Sequence, residues 1–320
     1  MARLAAIFVC LALTGAGWFA GGRFLLPVPD DAHWIGELYS VKEQALQRIG
    51  GPKVILVAGS STYYSYSAAQ LTRRLRRPVV NFGTHAGLGA RYLLDRAQRD
   101  MKTGDIVVLA IEDGLLRNEH PTDVLARFVQ FYDPGYIPRT DPPSWAPLLA
   151  GVSAHDLWRS RVEEGLLGRT RLHIDAAGDA TDNLASAVTP EVKAMVAATP
   201  LISITTDPSD PPAYLTRFVA AARARGVTLF AAWSPMLDLP VYHQPSDPGR
   251  LGAISSTYER FGVPVLGAPQ DFLFPLADTF NSAFHLNEVG RAKATAKLGD
   301  LICRQIRCAA DGGAPVAPAL

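Results

Sequence analysis

Four short polar segments carry the residue types that could perform chemistry in this sequence. They are Gly59-Ser60-Ser61, residues 81–87, Glu112-Asp113 and residues 281–285. The first three each follow an apolar run of strand length, and the fourth precedes a long amphipathic segment. A serine hydroxyl is a weak nucleophile that needs a positioned base, and histidine is the side chain that most often supplies one. We therefore examine serine-based acyl transfer first.

The elements that must position these segments are apolar strands alternating with amphipathic helices. After a helix within 30–50, strands are predicted at 53–58, 78–82, 105–111, 227–233 and 263–266. Helices are predicted at 67–77, 89–101, 212–225, 252–261 and 287–306. This alternation predicts a three-layer α/β/α fold of flavodoxin-like type with a mostly parallel sheet. Ligands bind at the carboxyl ends of such strands, so the polar segments are expected to meet at one sheet edge.

The chain is expected to form one domain over residues 27–308. The alternation breaks at about 133–211, where proline-rich loops and short helical patterns predict an insertion into that domain. The tail 309–320, with two adjacent glycines and two prolines, is expected to be disordered. An apolar fraction of 48% excludes a wholly disordered chain, and a net charge of +1 argues against a dedicated nucleic-acid binder.

The first 26 residues are expected to lie outside the globular fold. Residues 4–22 carry no charge and lie between Arg3 and Arg23. As a helix this run would span about 28 Å, close to the thickness of a bilayer core. We predict a single-pass anchor with the amino terminus inside and the body in the periplasm or extracytoplasmic space. A cleaved signal peptide is the alternative.

The cysteines fit an exported chain. Cys10 lies in the apolar run, and Cys303 and Cys308 are close together near the carboxyl end. Cysteine pairs in exported proteins are often oxidised, which favours a disulfide between these two. Two free thiols are the alternative. The sequence has no Cys-x-x-Cys or His-Glu-x-x-His motif and its histidines are scattered, so neither a metal nor a cofactor is expected.

Taken together, the four segments resemble the sequence blocks of the SGNH (GDSL-type) hydrolase superfamily. The resemblance implies that Ser61 is the nucleophile and His285 its base, and that the backbone N–H groups of Gly87 and Ser61 form the oxyanion hole. Glu112 then occupies the position of the family's oxyanion-hole asparagine. The flanking sequence His285–Arg291 is similar to that of membrane-anchored, exported members.

The acid that should orient the histidine is missing from the expected place. Ser282 stands three residues before His285, where the family has aspartate, and Asn281 stands at the alternative position four residues before. Asp278 is the fallback acid. Glu112 is a second departure, because a carboxylate aimed at an oxyanion would oppose catalysis. It could be protonated, face a substrate cation, orient His285 or lie in a solvated loop.

The remaining candidates belong to the loops around this edge. Asn81 and His85 could line a substrate cleft, although Asn81 could instead bind loop backbone and His85 could be a surface residue. The resemblance implies an exported serine esterase or O-acyltransferase that acts on acyl groups of a carbohydrate or cell-envelope polymer. The alternative is a catalytically degenerate domain that binds polysaccharide or partners a membrane O-acyltransferase.

Overall fold

A computed structural model describes residues 28–117, 120–199, 211–243 and 255–308, together with 3–7, 9–10, 13–15 and 17. The predicted tail 309–320 and much of the predicted anchor lie outside the described residues. Among the helices that are described, none is both long enough and apolar enough to cross a bilayer.

A five-stranded parallel sheet forms the centre of the fold. Its strand order is β2-β1-β3-β4-β6 and every pairing is parallel. The strands are β1 (Val54–Val57), β2 (Val79–Asn81), β3 (Ile106–Leu109), β4 (Thr228–Ala232) and β6 (Val265–Leu266). Each coincides with a predicted strand, because runs of buried β-branched and apolar residues are typical of strands covered on both faces. The α/β class and the parallel sheet are thus confirmed.

The strand order reverses direction between β1 and β3. The chain passes from β1 outward to β2 and then crosses back to β3 on the other side of β1. Loops after β1 and β3 therefore diverge, which leaves a crevice at their carboxyl ends. β1 is an internal strand, and β3 is the middle strand of the sheet.

Helices precede, connect and follow the strands of the sheet along the chain. In chain order they are α1 (Asp30–Arg48), α2 (Ser60–Ser65), α3 (Ala68–Leu75), α4 (Gly89–Asp100), α5 (Asp113–Arg117), α6 (Asp123–Tyr132), α7 (Pro142–Ala150), α8 (Ala154–Leu167), α9 (Pro190–Ala197) and α10 (Ala213–Ala224). A helical stretch at 255–259 and the final helix α11 (Glu288–Ile306) follow.

Short strands outside the main sheet were not predicted. β5 (Met236–Leu237) pairs in parallel with β7 (Leu273–Phe274). β8 (Thr279–Ser282) pairs antiparallel with β9 (His285–Leu286). Strands of two to four residues are too short to show a periodic pattern in the sequence.

The chain divides into two compact units. One unit comprises Met1–Glu37 and His120–Leu172, and the other comprises Leu38–Glu119 and His173–Leu320. The described part of the first unit is helical and contains an Asp31–Arg127 ion pair of 2.7 Å. The second unit contains the five-stranded sheet.

Two lysines are buried in the unit that contains the sheet, and both contact protein oxygens. Lys53 and Asp105 precede β1 and β3, have no exposed side-chain surface, and form a 2.8 Å ion pair. Lys42, also fully buried, donates to the carbonyl oxygens of Asn81 and Gly178, at 2.6 Å each. Burial lowers the pKa of Lys42 to about 7. The amino groups of both lysines contact protein oxygens, because a buried charge without a partner is costly.

A disulfide between Cys303 and Cys308 closes the end of α11. The predicted alternative of two free thiols at these positions is therefore wrong in this structure. Arg307, between them, adopts the left-handed conformation that ends the helix (φ 53°). Cys10 is a free cysteine.

Candidate active site at the carboxyl edge of the sheet

Ser60 and His285 meet at the carboxyl edge of the main sheet. Ser60 is the first residue of α2, three residues after the end of β1. Its Oγ lies 2.9 Å from Nε2 of His285, although the two residues are 225 positions apart in the sequence. Both side chains are half-buried. The structure thus forms a serine–histidine pair where the sequence predicted one.

The serine in this pair is not the predicted one. The resemblance pointed to Ser61, but the side chain that contacts His285 belongs to Ser60, and Ser61 is fully buried. Because α2 begins at Ser60, successive side chains turn by about 100°, so two adjacent serines cannot face the same way. The prediction of a Ser61–His285 pair is therefore wrong by one residue.

Asn281 occupies the position of the missing acid. β8 and β9 form a hairpin in which Asn281 Oδ1 lies 2.7 Å from Nδ1 of His285. An amide oxygen can only accept, so Nδ1 carries the proton and Nε2 keeps a lone pair toward the hydroxyl of Ser60. Ser60, His285 and Asn281 thus form a hydrogen-bonded chain with the tautomer that a general base requires.

The surroundings of His285 disfavour its protonated form. Burial, with a smaller contribution from the neighbouring His85, lowers the pKa of His285 to about 3. The ring of Tyr64 packs against the imidazole with centroids 4.5 Å apart, which contributes to this desolvation. The imidazole is therefore neutral at physiological pH and able to accept a proton. The imidazolium formed during catalysis would lack a carboxylate partner at Nδ1.

The fallback acid, Asp278, is engaged elsewhere. Both of its carboxylate oxygens bind Nζ of Lys293 on α11, at 2.9 and 2.6 Å. Its side chain is almost completely buried beneath that helix. Asp278 therefore holds α11 against the turn before β8, and the prediction that it could orient His285 is not supported by its contacts.

The carboxylate of Glu112 accepts hydrogen bonds from backbone N–H groups at the start of α2. Oε2 accepts the backbone N–H of Gly59 at 3.4 Å, and Oε1 accepts that of Ser61 at 3.3 Å. Glu112 is 8% exposed, and burial raises the pKa of its carboxyl, although the hydrogen bonds from Ser61 and Gly59 oppose the rise. The sequence left several roles open for Glu112, and the structure shows that its role as a solvated loop residue is wrong.

The two predicted oxyanion donors both have partners. Ser61 N–H binds Glu112, and Gly87 N–H donates to Nδ1 of His85 at 3.0 Å. Glu112 thus places an acceptor where acyl transfer needs donors, and His85 keeps the Gly87 donor occupied. His85 acts on the site through this contact and through its electrostatic effect on His285.

Asn81 does not line the site; its side chain binds backbone groups next to it. It is fully buried, and its Nδ2 donates to the carbonyl oxygens of Thr62 and Tyr66, while its Oδ1 accepts Gly83 N–H. The assignment of Asn81 to the substrate cleft is therefore wrong, and its alternative role in binding loop backbone is correct. These bonds fix the turn between α2 and α3.

A cavity of about 340 Å³ opens beside the serine–histidine pair. The loops after β3 and β4 and the β8–β9 hairpin enclose it. Its polar lining residues are Ser60, Glu112, Ser234, Ser282 and His285, and its other lining residues are Ala86, Ile111, Gly114, Leu115, Ala232, Trp233, Met236, Tyr242 and Phe284. Glu112 and His285 were predicted at this site, and both line the cavity, whereas His85, also predicted for the cleft, is not among the lining residues. The apolar lining was not predicted as a set, because its members come from separate segments of the sequence.

The described part of the chain contains no cluster of three histidine, cysteine or carboxylate side chains that could hold a metal ion. Among the described residues that line the cavity, those with side chains typical of acyl-transfer chemistry include Ser60, His285 and Glu112.

Comparisons with known proteins add little to this geometry. Neither the protein-family models nor the curated proteins yield a match. Among solved structures, the Bacillus subtilis protein YxiM aligns with a TM-score of 0.38 and 10% identity, covering 80% of this chain and 57% of that one. The chain thus spans less than two thirds of that protein, and a similarity this distant carries no functional argument.

Proposed function

We propose that this protein is a serine-dependent acyl-transfer enzyme of SGNH-like type that cleaves or transfers ester-linked acyl groups. The observation that carries the proposal is the chain Ser60–His285–Asn281, with contacts of 2.9 and 2.7 Å, beside a cavity. A structural serine would not need a half-buried imidazole held in the basic tautomer toward its hydroxyl.

Each residue of this chain has one role in the reaction. His285 Nε2 removes the Ser60 proton as Oγ attacks the ester carbonyl, and the same proton then passes to the departing alcohol oxygen. The resulting acyl-Ser60 is attacked by water in hydrolysis, or by a second alcohol in transfer, with His285 again taking the proton. Asn281 keeps Nδ1 protonated throughout.

Glu112 determines when the oxyanion can be stabilised. Its ionised form would repel the developing negative charge, whereas a protonated carboxyl can donate its O–H to that oxygen. Burial favours the protonated form, because it raises the pKa of Glu112. The proposal therefore assigns Glu112 a neutral, hydrogen-bond-donating state in the active enzyme.

The contacts of Glu112 also favour a second candidate function, binding without catalysis. Because Glu112 and His85 occupy the Ser61 and Gly87 donors, the domain could bind an acylated polymer or partner a membrane O-acyltransferase without reacting. The deciding property is turnover that depends on Ser60.

The adjacent serines provide a matched test. Ser60→Ala should abolish hydrolysis of small p-nitrophenyl esters and labelling by a fluorophosphonate probe, whereas Ser61→Ala should retain both. Equal activity in Ser60→Ala and the parent protein would refute catalysis by this pair. Loss of activity only in Ser61→Ala would show that Ser61 is the nucleophile. Absence of turnover and labelling in every protein would favour the binding function.

We also propose that the protein is exported and anchored by residues 4–22, and that its acyl acceptor or donor is a carbohydrate or envelope polymer. The uncharged run after Arg3 supports the anchor. A reporter fused after Leu320 tests it: activity restricted to extracytoplasmic reporters is expected, and activity restricted to cytoplasmic reporters would contradict it.

A further inference from the structure

The cavity beside Ser60 has a composition that differs from a sugar-binding cleft. Nine of its fourteen lining residues have apolar or aromatic side chains or are glycine. Its charged and polar groups are those of the reaction itself, together with two serines and Tyr242. Sugar sites need hydrogen-bond partners for several hydroxyl groups, because each buried hydroxyl without a partner costs free energy.

The tyrosines near Ser60 provide no sugar platform. Tyr63 and Tyr66 are almost completely buried, and their hydroxyls donate to the carbonyl oxygens of His173 and Trp233. Tyr64 packs on His285 and Phe280. Their rings therefore belong to the core and to the support of the histidine.

The size of the cavity also argues for a ligand larger than an acetyl group. Its volume of about 340 Å³ lies near the lower end of the range for small-molecule pockets, about 300–1,000 Å³. An acetyl group would leave most of that apolar space without a contact. Trp233, Phe284 and Leu115 instead offer surface on which a hydrocarbon chain would be removed from water.

We infer that this cavity binds a hydrocarbon chain of several carbons in the ester substrate, so that the enzyme prefers esters with an apolar chain over acetyl esters of short alcohols. The inference rests on the proposed function. The chain could belong to the acyl group or to the alcohol, since both leave the reacting carbon beside Ser60. A sugar or envelope polymer could still form the other half of the ester.

Two substrate series distinguish these sources. One keeps the p-nitrophenol leaving group and lengthens the acyl chain from acetyl to decanoyl, and the other keeps acetyl and lengthens the alcohol. In one series kcat/KM should rise about fourfold per methylene, the factor equivalent to about 0.8 kcal/mol, until the cavity is filled. A Ser60-dependent activity that does not rise in either series would overturn the inference and leave the proposed function standing.

Variants of the lining test the location. Leu115→Trp should lower the ratio of long-chain to short-chain kcat/KM about tenfold or more, since it fills apolar space with a larger side chain. Gly114→Phe is a second variant, because a Cβ at Gly114 would meet no atom within 4 Å. Leu149→Trp, at an exposed leucine on α7, is the control and should leave the ratio unchanged. An unchanged ratio in both lining variants would contradict the location.

Direct binding decides the inference even if no ester is turned over. Ser60→Ala should bind a methyl ketone with a long alkyl chain at least tenfold more tightly than acetone, measured by calorimetry, and Leu115→Trp should weaken the difference. Equal binding of the two ketones would reject the hydrocarbon site. Ketone binding without turnover in any substrate series would reject the proposed enzyme but retain the site.

Discussion

Glu112 accepts the backbone N–H of Ser61 at 3.3 Å, directly after the serine that faces the imidazole of His285. The arrangement reverses the usual polarity of an acyl-transfer site, in which donors face the reacting oxygen. It follows that the protonation state of one buried carboxyl controls whether this edge of the sheet stabilises an anion or repels it.

The first prediction concerns that carboxyl. Glu112→Gln should raise kcat/KM by about 10–100-fold at pH values above the raised pKa of Glu112, because a neutral amide can donate to the oxyanion where the carboxylate repels it; a single such donor is worth up to about 10³. Steady-state kinetics on the best ester measure the gain. Glu112→Leu, which removes the charge without adding a donor, should gain less. If Gln is slower than Glu at every pH, the carboxyl itself takes part in catalysis.

The second prediction concerns the pH profile. His285 must be neutral to act as the base, so activity should fall as pH drops toward its pKa of about 3. Glu112 must be protonated to donate, so activity should also fall as pH rises through its raised pKa. The expected profile of kcat/KM is a bell, and Glu112→Gln should remove only its alkaline limb. An unaltered alkaline limb in that variant would assign it to another group.

The third prediction concerns the acid position. Asn281→Asp should raise turnover, because a carboxylate 2.7 Å from Nδ1 would stabilise the imidazolium. The reverse change in a serine protease lowers kcat by about 10⁴, which bounds the gain, and about 10–100-fold is expected here. The acid limb of the pH profile should move upward as the pKa of His285 rises.

Two controls accompany the Asn281 experiment. Asn281→Ala should lose activity, since Nδ1 then has no acceptor to fix the tautomer. Ser60→Ala in the Asn281→Asp background should abolish the gain. A gain that survives Ser60→Ala would show that the activity arises outside this site, and an unmoved acid limb would show that position 281 does not act on the imidazole.

The fourth prediction concerns stability and is independent of catalysis. Lys53→Met should lower the free energy of unfolding by about 3–5 kcal/mol, because it leaves the buried carboxylate of Asp105 without its cation. Urea unfolding measures the loss, and adding Asp105→Asn should recover part of it. Ester turnover per folded molecule should not change, since Lys53 and Asp105 lie at the amino end of the sheet. A loss below about 1 kcal/mol would place this pair in the range of exposed ion pairs.

The sequence predicted those features that depend on local pattern. The strands β1 and β3 and the helix α11 were visible as apolar runs and amphipathic periodicity, and the candidates His285 and Asn281 came from the resemblance of residues 281–285 to a sequence block of the SGNH superfamily. The choice between Ser60 and Ser61 did not follow, because the direction of a side chain at a helix start is set by the contacts of the whole turn. The apolar cavity was equally hidden, since Leu115, Trp233 and Phe284 converge only in the folded chain.

The parallel pairing of all five main strands, together with the 225 residues between Ser60 and His285, also determines when the site appears during folding. Contacts between distant parts of a chain form slowly, because loop closure lowers the entropy before the contact can compensate. β9 carries the imidazole, and β9 and α11 are synthesised after the five strands of the main sheet. In the proposed enzyme, a ribosome-bound chain that has not yet released them holds an inert Ser60, so recovery of the proposed activity after dilution from urea would time the docking of β9 and α11.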